Sequence, residues 1–202
     1  IEDGPAIAIS YTASLNSDGI PYYCTSGTDP TPTLSFTVSG VISGTISPTG
    51  TFTASPSGLL ISNSSSGTID LSASVSNTYI ITFNSTVGGC PSTVTTSLQI
   101  IGQDDATFSY DSATYCANDS NPTPTITLAG GAFSSAASLT LNAATGEITT
   151  STSSPGTYTV TYTTAGTCTD TSSVEVTIYA LDDASFFYPR LSYCVSDTDP
   201  IP

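Results

Sequence analysis

Apolar side chains alternate with Ser and Thr along much of this chain, in short runs that Gly, Pro and Ser clusters interrupt. Tyr79, Ile81 and Phe83 form one such run, and Tyr158, Val160 and Tyr162 another. Val94, Leu98 and Ile100 follow the first, and Val174, Val176 and Ile178 follow the second. A two-residue period places every second side chain on the same face of a strand, so each run predicts a strand with one buried face. Ile7, Ile9 and Tyr11 predict a strand near the start, as do Leu34, Phe36 and Val38 further on. Runs 52–55, 59–62 and 68–73 predict shorter ones, with hairpin turns at 64–67 and 144–146. No apolar set recurs at helical spacing, and Thr and Ser dominate where helix formers would be needed. The pattern predicts an all-β protein of sandwich type.

The strands belong to a repeat. Tyr23-Cys24 leads into Asp29-Pro30-Thr31-Pro32, Tyr115-Cys116 into Asn121-Pro122-Thr123-Pro124, and Tyr193-Cys194 into Asp199-Pro200-Ile201-Pro202. Each copy sets Cys, five residues, Pro, one residue and Pro behind a tyrosine, with offsets of 92 (116 − 24) and 78 (194 − 116). Self-similarity in the same order over such a spacing marks tandem units. Asp104-Asp105 stands ahead of the second copy and Asp182-Asp183 ahead of the third, each fifteen residues after a further cysteine, Cys90 or Cys168. The expected division is a first repeat over 1–102, a second over 103–180 and the opening of a third over 181–202, with the sandwiches end to end. Residues 40–50 have almost no counterpart in the second repeat and read as an added hairpin. Pro30 and Pro32 bar a central strand, so the Pro-x-Pro element reads as an extended connector.

Cysteine usage follows the repeat. Cys24 with Cys90 and Cys116 with Cys168 would close one disulfide per domain, joining the connector to the start of the last strand; Cys194 would then find its partner outside this sequence. Recurrent pairing implies an oxidising, extracytoplasmic setting. No Trp is present to pack on a central disulfide, and Cys90 and Cys168 follow a glycine turn rather than lying within a strand, so the expected fold is Ig-like, not a true immunoglobulin domain.

Charge narrows the function classes. Sixteen acidic residues face a single basic one, Arg190, for a net charge of −15, and His and Lys are absent. Nucleic-acid binding needs Lys and Arg to neutralise phosphates, and an anionic membrane surface asks for the same. Triads built on His, or a Ser-Lys pair, cannot be assembled from this chain, so no enzyme is expected. No apolar run is long enough to enter and span a bilayer.

The carboxylates gather near the repeat junctions, and hard cations bind clusters of oxygens. The candidate calcium ligands are Asp3 and Asp29 at the first junction, Asp104, Asp105, Asp119 and Asn121 at the second, and Asp182, Asp183, Asp197 and Asp199 at the third. The alternative role is a solvated linker, or Asp side chains capping Asp-Pro turns.

The ordered set of Tyr-Cys, Asp/Asn-Pro-Thr-Pro-Thr, Gly130 to Ser134, Thr145 to Ile148 and Gly156 to Tyr162 resembles the tandem Ig-like and PKD-like repeats of giant Bacteroidota surface proteins. Gliding-motility adhesins exported by the type IX secretion system are of this kind. The resemblance implies a secreted cell-surface adhesin or filament in which such repeats form the stalk, with neighbouring repeats as partners. Asp111-Ser112-Ala113 also resembles the O-glycosylation acceptor motif of that phylum, with Ser112 as acceptor. Two other functions stay open: a polysaccharide-binding module that grips surface glycans, and a pilin-like subunit completed by the next chain.

Overall fold

A computed structural model describes residues 6–37, 49–85, 92–188 and 190–201. The inferred 40–50 hairpin lies almost wholly outside them, as do Asp3 and Cys90. The described chain is all-β apart from a single 3-10 turn at Thr150–Thr152. It divides into two compact units, 1–105 with 165–170 and 106–164 with 171–202.

The first unit holds β1 (Ala6–Ser10), β2 (Ser14–Leu15), β3 (Pro21–Cys24), β4 (Thr33–Thr37), β5 (Gly50–Ser55), β6 (Leu60–Asn63), β7 (Thr68–Asp70), β8 (Asn77–Ser85) and β9 (Ser92–Ile101). Its main sheet has the order β2-β3-β9-β8-β5, and β1-β4 and β6-β7 form two-stranded sheets. Alternation becomes burial along β8: Tyr79, Ile81 and Phe83 are fully buried while Ile80 between them is 52% exposed. Ile9, Tyr11, Phe52, Ile69, Leu71, Leu98 and Ile100 complete this core. Tyr79 spends its phenol on the carbonyl of Val75 at 2.7 Å, so a large apolar body is buried without an orphaned hydroxyl.

The second unit repeats the plan with β10 (Phe108–Ser109), β11 (Thr114–Cys116), β12 (Thr125–Ile126), β13 (Ala132–Ser134), β14 (Gly156–Thr163) and β15 (Thr171–Tyr179). Its sheet runs β11-β15-β14-β13, with β10 paired to β12. Tyr158, Val160, Tyr162, Val176 and Ile178 are buried with Phe108, Tyr115, Phe133, Leu139 and Ile148. Tyr158 donates to the carbonyl of Ser154 at 2.6 Å, matching Tyr79.

One pairing in each unit departs from simple hairpin logic. β3 lies parallel to β9, with Cys24 beside Ile101, and β11 lies parallel to β15, with Cys116 beside Tyr179. The cysteine therefore stands at the C-terminal end of the last strand, not at its start. That register overturns the inferred pairings. Cys24 is bonded to Cys168, 144 residues downstream, and Cys116 and Cys194 carry exposed free thiols. The physical reason is length. Nine residues of β15 span about 26 Å, and the three residues from Cys168 to Thr171 can recover at most about 11 Å. With strand neighbours about 5 Å apart, Cys116 and Cys168 stay about 10 Å or more from each other, beyond the ~7 Å a disulfide tolerates.

Candidate functional site: the cysteine-bearing connector

The connector between β3 and β4, and its counterpart between β11 and β12, gathers most of the residues that the sequence singles out. Each opens on a turn after the cysteine: Gly27 N–H donates to the Cys24 carbonyl at 2.9 Å and Asp119 N–H to the Cys116 carbonyl at 3.0 Å. The strand end is fixed by Thr25 N–H on the Ile101 carbonyl and Ala117 N–H on the Tyr179 carbonyl, both 3.0 Å. Where the first unit has Gly27, the second has Asp119, whose carboxylate accepts the Cys116 N–H at 2.7 Å. Asp197 accepts the Cys194 N–H at 2.9 Å, with Asp197 N–H on the Cys194 carbonyl at 2.9 Å.

The Asp/Asn-Pro-x-Pro stretch then crosses to the small sheet. Asp29 accepts the N–H of Leu71 at 2.9 Å, and Asn121 accepts the N–H of Thr150 at 3.3 Å. The carbonyl of Pro30 accepts from Ile69 and that of Pro122 from Ile148. Proline has no N–H of its own, so Pro30 and Pro122 act here as acceptors only, while the Asn121 amide also donates to Glu147 at 3.1 Å. Gly67 and Gly146 sit beneath the second prolines with φ of 75° and 73°; a Cβ there would stand 2.8 Å from Pro32 and 2.6 Å from Pro124. The same glycine carbonyls accept the phenols of Tyr11 and Tyr110, at 2.9 and 2.5 Å. Burial pushes both phenols well above the usual tyrosine range.

Several of the acidic residues engage backbone donors. Asp29, Asp119, Asn121 and Asp197 each hold a backbone N–H, and so does Asp183, which accepts from Ser185 at 2.8 Å. Asp104 accepts the N–H of Gly166 at 3.0 Å, and its own N–H donates to the Cys168 carbonyl at 2.9 Å. A Cβ on Gly166 would overlap that carboxylate, so only glycine lets Asp104 reach the loop. Among the described residues, no three of the carboxylates and cysteines stand together in a way that could hold a metal ion. Asp182 and Asp199 are exposed, and Asp105 is engaged in its own interaction.

The loop 165–170 thus belongs to a cradle around the disulfide. Cys24 supplies the sulfur, and Asp104 the two backbone contacts. Gln103 ties the sides together: its amide nitrogen donates to the Thr169 carbonyl, its backbone N–H to the Thr25 hydroxyl at 3.1 Å, and its side-chain oxygen accepts from Ser26. Sequence inspection missed Gln103. Its position does not recur, Leu181 standing there in the next copy; only the loop it meets carries a repeated pattern, Gly-x-Cys, as Gly88-Gly89-Cys90 and as Gly166-Thr167-Cys168.

Ser112 is exposed, in a tight turn in which its hydroxyl donates to the Thr114 carbonyl at 3.0 Å. Its N–H donates to the Tyr115 phenol, which in turn donates to Asp111. Burial and the neighbouring Asp111 push that phenol up to about 12. Ser112, Asp111, Tyr115, Asp119 and Asn121 line an open polar groove beside the connector.

No protein-family model matches the chain, and no curated protein matches it. Solved structures do. A SusE-like surface located polysaccharide binding protein from the Bacteroides thetaiotaomicron heparin utilisation locus is 16% identical, over 87% of this chain and 34% of that one, with a TM-score of 0.37. Mouse cadherin-23 EC22-24 is 15% identical over 90% of this chain and 68% of that one, TM-score 0.39. Drosophila N-cadherin EC1-4 is 10% identical over 80% and 47%, TM-score 0.37. The chain spans about a third of the first protein's length and half of the last's. At these values the likenesses assign no site and no ligand.

Proposed function

We propose that the chain is a structural repeat segment, the stalk, of a secreted extracellular adhesin or surface filament. The observation that carries this reading is the recurrence of one hydrogen-bonded framework in both units. Tyrosine on a glycine carbonyl, Asp or Asn on a backbone N–H, and proline carbonyl on the small sheet all recur. Chemistry is invested in holding the fold, and the disulfide adds a covalent tie suited to an oxidising exterior. Absence of His and Lys and a charge of −15 leave adhesion or scaffolding as the roles the side chains suit. A stalk needs no ligand. Binding of the 202-residue chain to a glycan array tests the reading: silence at micromolar protein is expected. Saturable binding that Tyr115→Ala or Asn121→Ala abolishes would replace the stalk by a polysaccharide-binding module working through the groove beside the connector.

A further inference from the structure

The disulfide joins cysteines that the repeat does not make partners within one copy. Cys24 is the connector cysteine of the first repeat, and Cys168 is the loop cysteine of the second. We propose that this is a rule of the array: the connector cysteine of each repeat is bonded to the loop cysteine of the next, so that Cys116 takes the loop cysteine of a following copy.

Three observations carry it. First, Cys116 stands where Cys24 stands, at the end of a strand parallel to the last strand, with the same main-chain bond from the next residue. Its thiol is exposed and unbonded. Second, strand length keeps it from Cys168, so a partner must come from outside its own repeat. Third, one member of the cradle recurs in the sequence, although Gln103, Thr25 and Ser26 give way to Leu181, Ala117 and Asn118. Asp182 is the counterpart of Asp104 (182 − 104 = 78), the residue whose carboxylate and N–H hold the Gly-x-Cys loop in the first unit. Asp182 is exposed and follows Tyr179, the residue paired with Cys116, by three positions in the chain. Tyr193-Cys194 keeps the local geometry once more: Arg190 N–H donates to the Tyr193 phenol as Ser112 N–H does to Tyr115, and Asp197 caps Cys194 as Asp119 caps Cys116.

The chemistry is thiol–disulfide exchange. Two thiols lose two protons and two electrons as the S–S bond forms; a small-molecule or protein disulfide accepts them and leaves as two thiols. The inference rests on the repeat, not on the stalk role, and would survive if the chain proved to bind glycans.

The test extends the chain past Pro202 with a copy of residues 125–180, because Pro202 occupies the place of Pro124. After oxidation by glutathione disulfide, peptide mapping without reduction should find Cys116 linked to the appended loop cysteine and Cys24 linked to Cys168. Cys116→Ser should leave the appended cysteine open to iodoacetamide, and Asp182→Ala should slow its pairing several-fold without altering the Cys24–Cys168 link. In the 202-residue chain itself, Cys116 should alkylate fully under native conditions. A reduced Cys116 in the extended chain, or one bonded to Cys168 or Cys90, would overturn the rule. Where the extended chain fails to fold, mapping the native secreted protein reads the same pairing.

Discussion

The two units solve the same packing problem with different materials. The first closes its hydrophobic interior with Ile7, Ile9 and Tyr11, the second with Ala106, Phe108 and Tyr110. Smaller Ala106 against larger Phe108 lets Phe108 meet Phe133 and Tyr162 edge-on, at centroid distances of 5.3 and 6.0 Å. In the first unit, Phe52 meets Phe83 at 4.7 Å, with no third ring among the described residues. Around these different cores much of the polar frame recurs, down to the serine hydroxyls: Ser74 accepts the Leu60 N–H and Ser153 the Thr140 N–H, both at 3.0 Å. The lesson is that the frame, more than the core, is what the repeat preserves. The units part company at the cysteine, bonded in the first and free in the second.

Reduction gives the largest separation between them. A closed loop of this length (sequence separation 144) contributes at most about 5 kcal/mol on the chain-entropy view. Dithiothreitol, followed by calorimetry, should lower the unfolding midpoint of the first unit, which holds both bonded cysteines, by more than that of the second, whose β10 to β14 lie inside the closed loop. Equal shifts in both would break the comparison.

Next come the paired glycines. Gly67→Ala and Gly146→Ala each force a Cβ into a left-handed conformation against a proline and a phenylalanine ring. Each should cost its own unit about 2 kcal/mol or more, read as two separate denaturant transitions. A neutral result at either position would deny the shared frame.

Smaller effects are expected from the caps. Asp29→Ala and Asn121→Ala each leave a backbone N–H without its acceptor, a loss of about 1 kcal/mol. Asp29→Asn keeps an acceptor and should cost a few tenths at most. If these side chains bind calcium instead, Asp29→Asn would abolish a calcium-dependent rise in melting temperature; the capping role predicts no such rise.

The smallest difference at neutral pH becomes visible in alkali. Burial raises the phenols of Tyr11, Tyr23 and Tyr79 in the first unit, and of Tyr110 and Tyr115 in the second. A raised folded value favours the neutral phenol, so the stabilisation is whole below pH of about 10, the unfolded value. It is lost as pH climbs through about 12, where Tyr115 ionises. Both units should weaken together over that window, and Tyr115→Phe should blunt the fall in the second unit alone.

Much of this architecture was legible in the sequence because it is local. The Tyr79-Ile81-Phe83 and Tyr158-Val160-Tyr162 stripes face inward as their period requires, and Pro30 and Pro32 stay out of strands. The correspondence of Tyr11 with Tyr110 was hidden by loop length. Their offset is 99 (110 − 11), against 92 for Cys24 and Cys116, so the intervening loops differ by seven residues. Asp29 and Asn121 carried a readable Asx-Pro turn signal that pointed to capping as much as to a cation. The disulfide was not legible, because the repeat defines equivalent cysteines and says nothing of which end of the last strand the connector meets. That depends on the parallel pairing of β3 with β9, a contact between residues 77 apart (Tyr23 with Ile100; 100 − 23) that no local pattern encodes.

The covalent tie runs from the connector cysteine of the first repeat to the loop cysteine of the second. Peptide mapping of the oxidised, unreduced 202-residue chain tests it most directly. A peptide pair linked through Cys24 and Cys168 is expected, with Cys116 alkylated. Recovery of Cys24 linked to Cys90 together with Cys116 linked to Cys168 would contradict it.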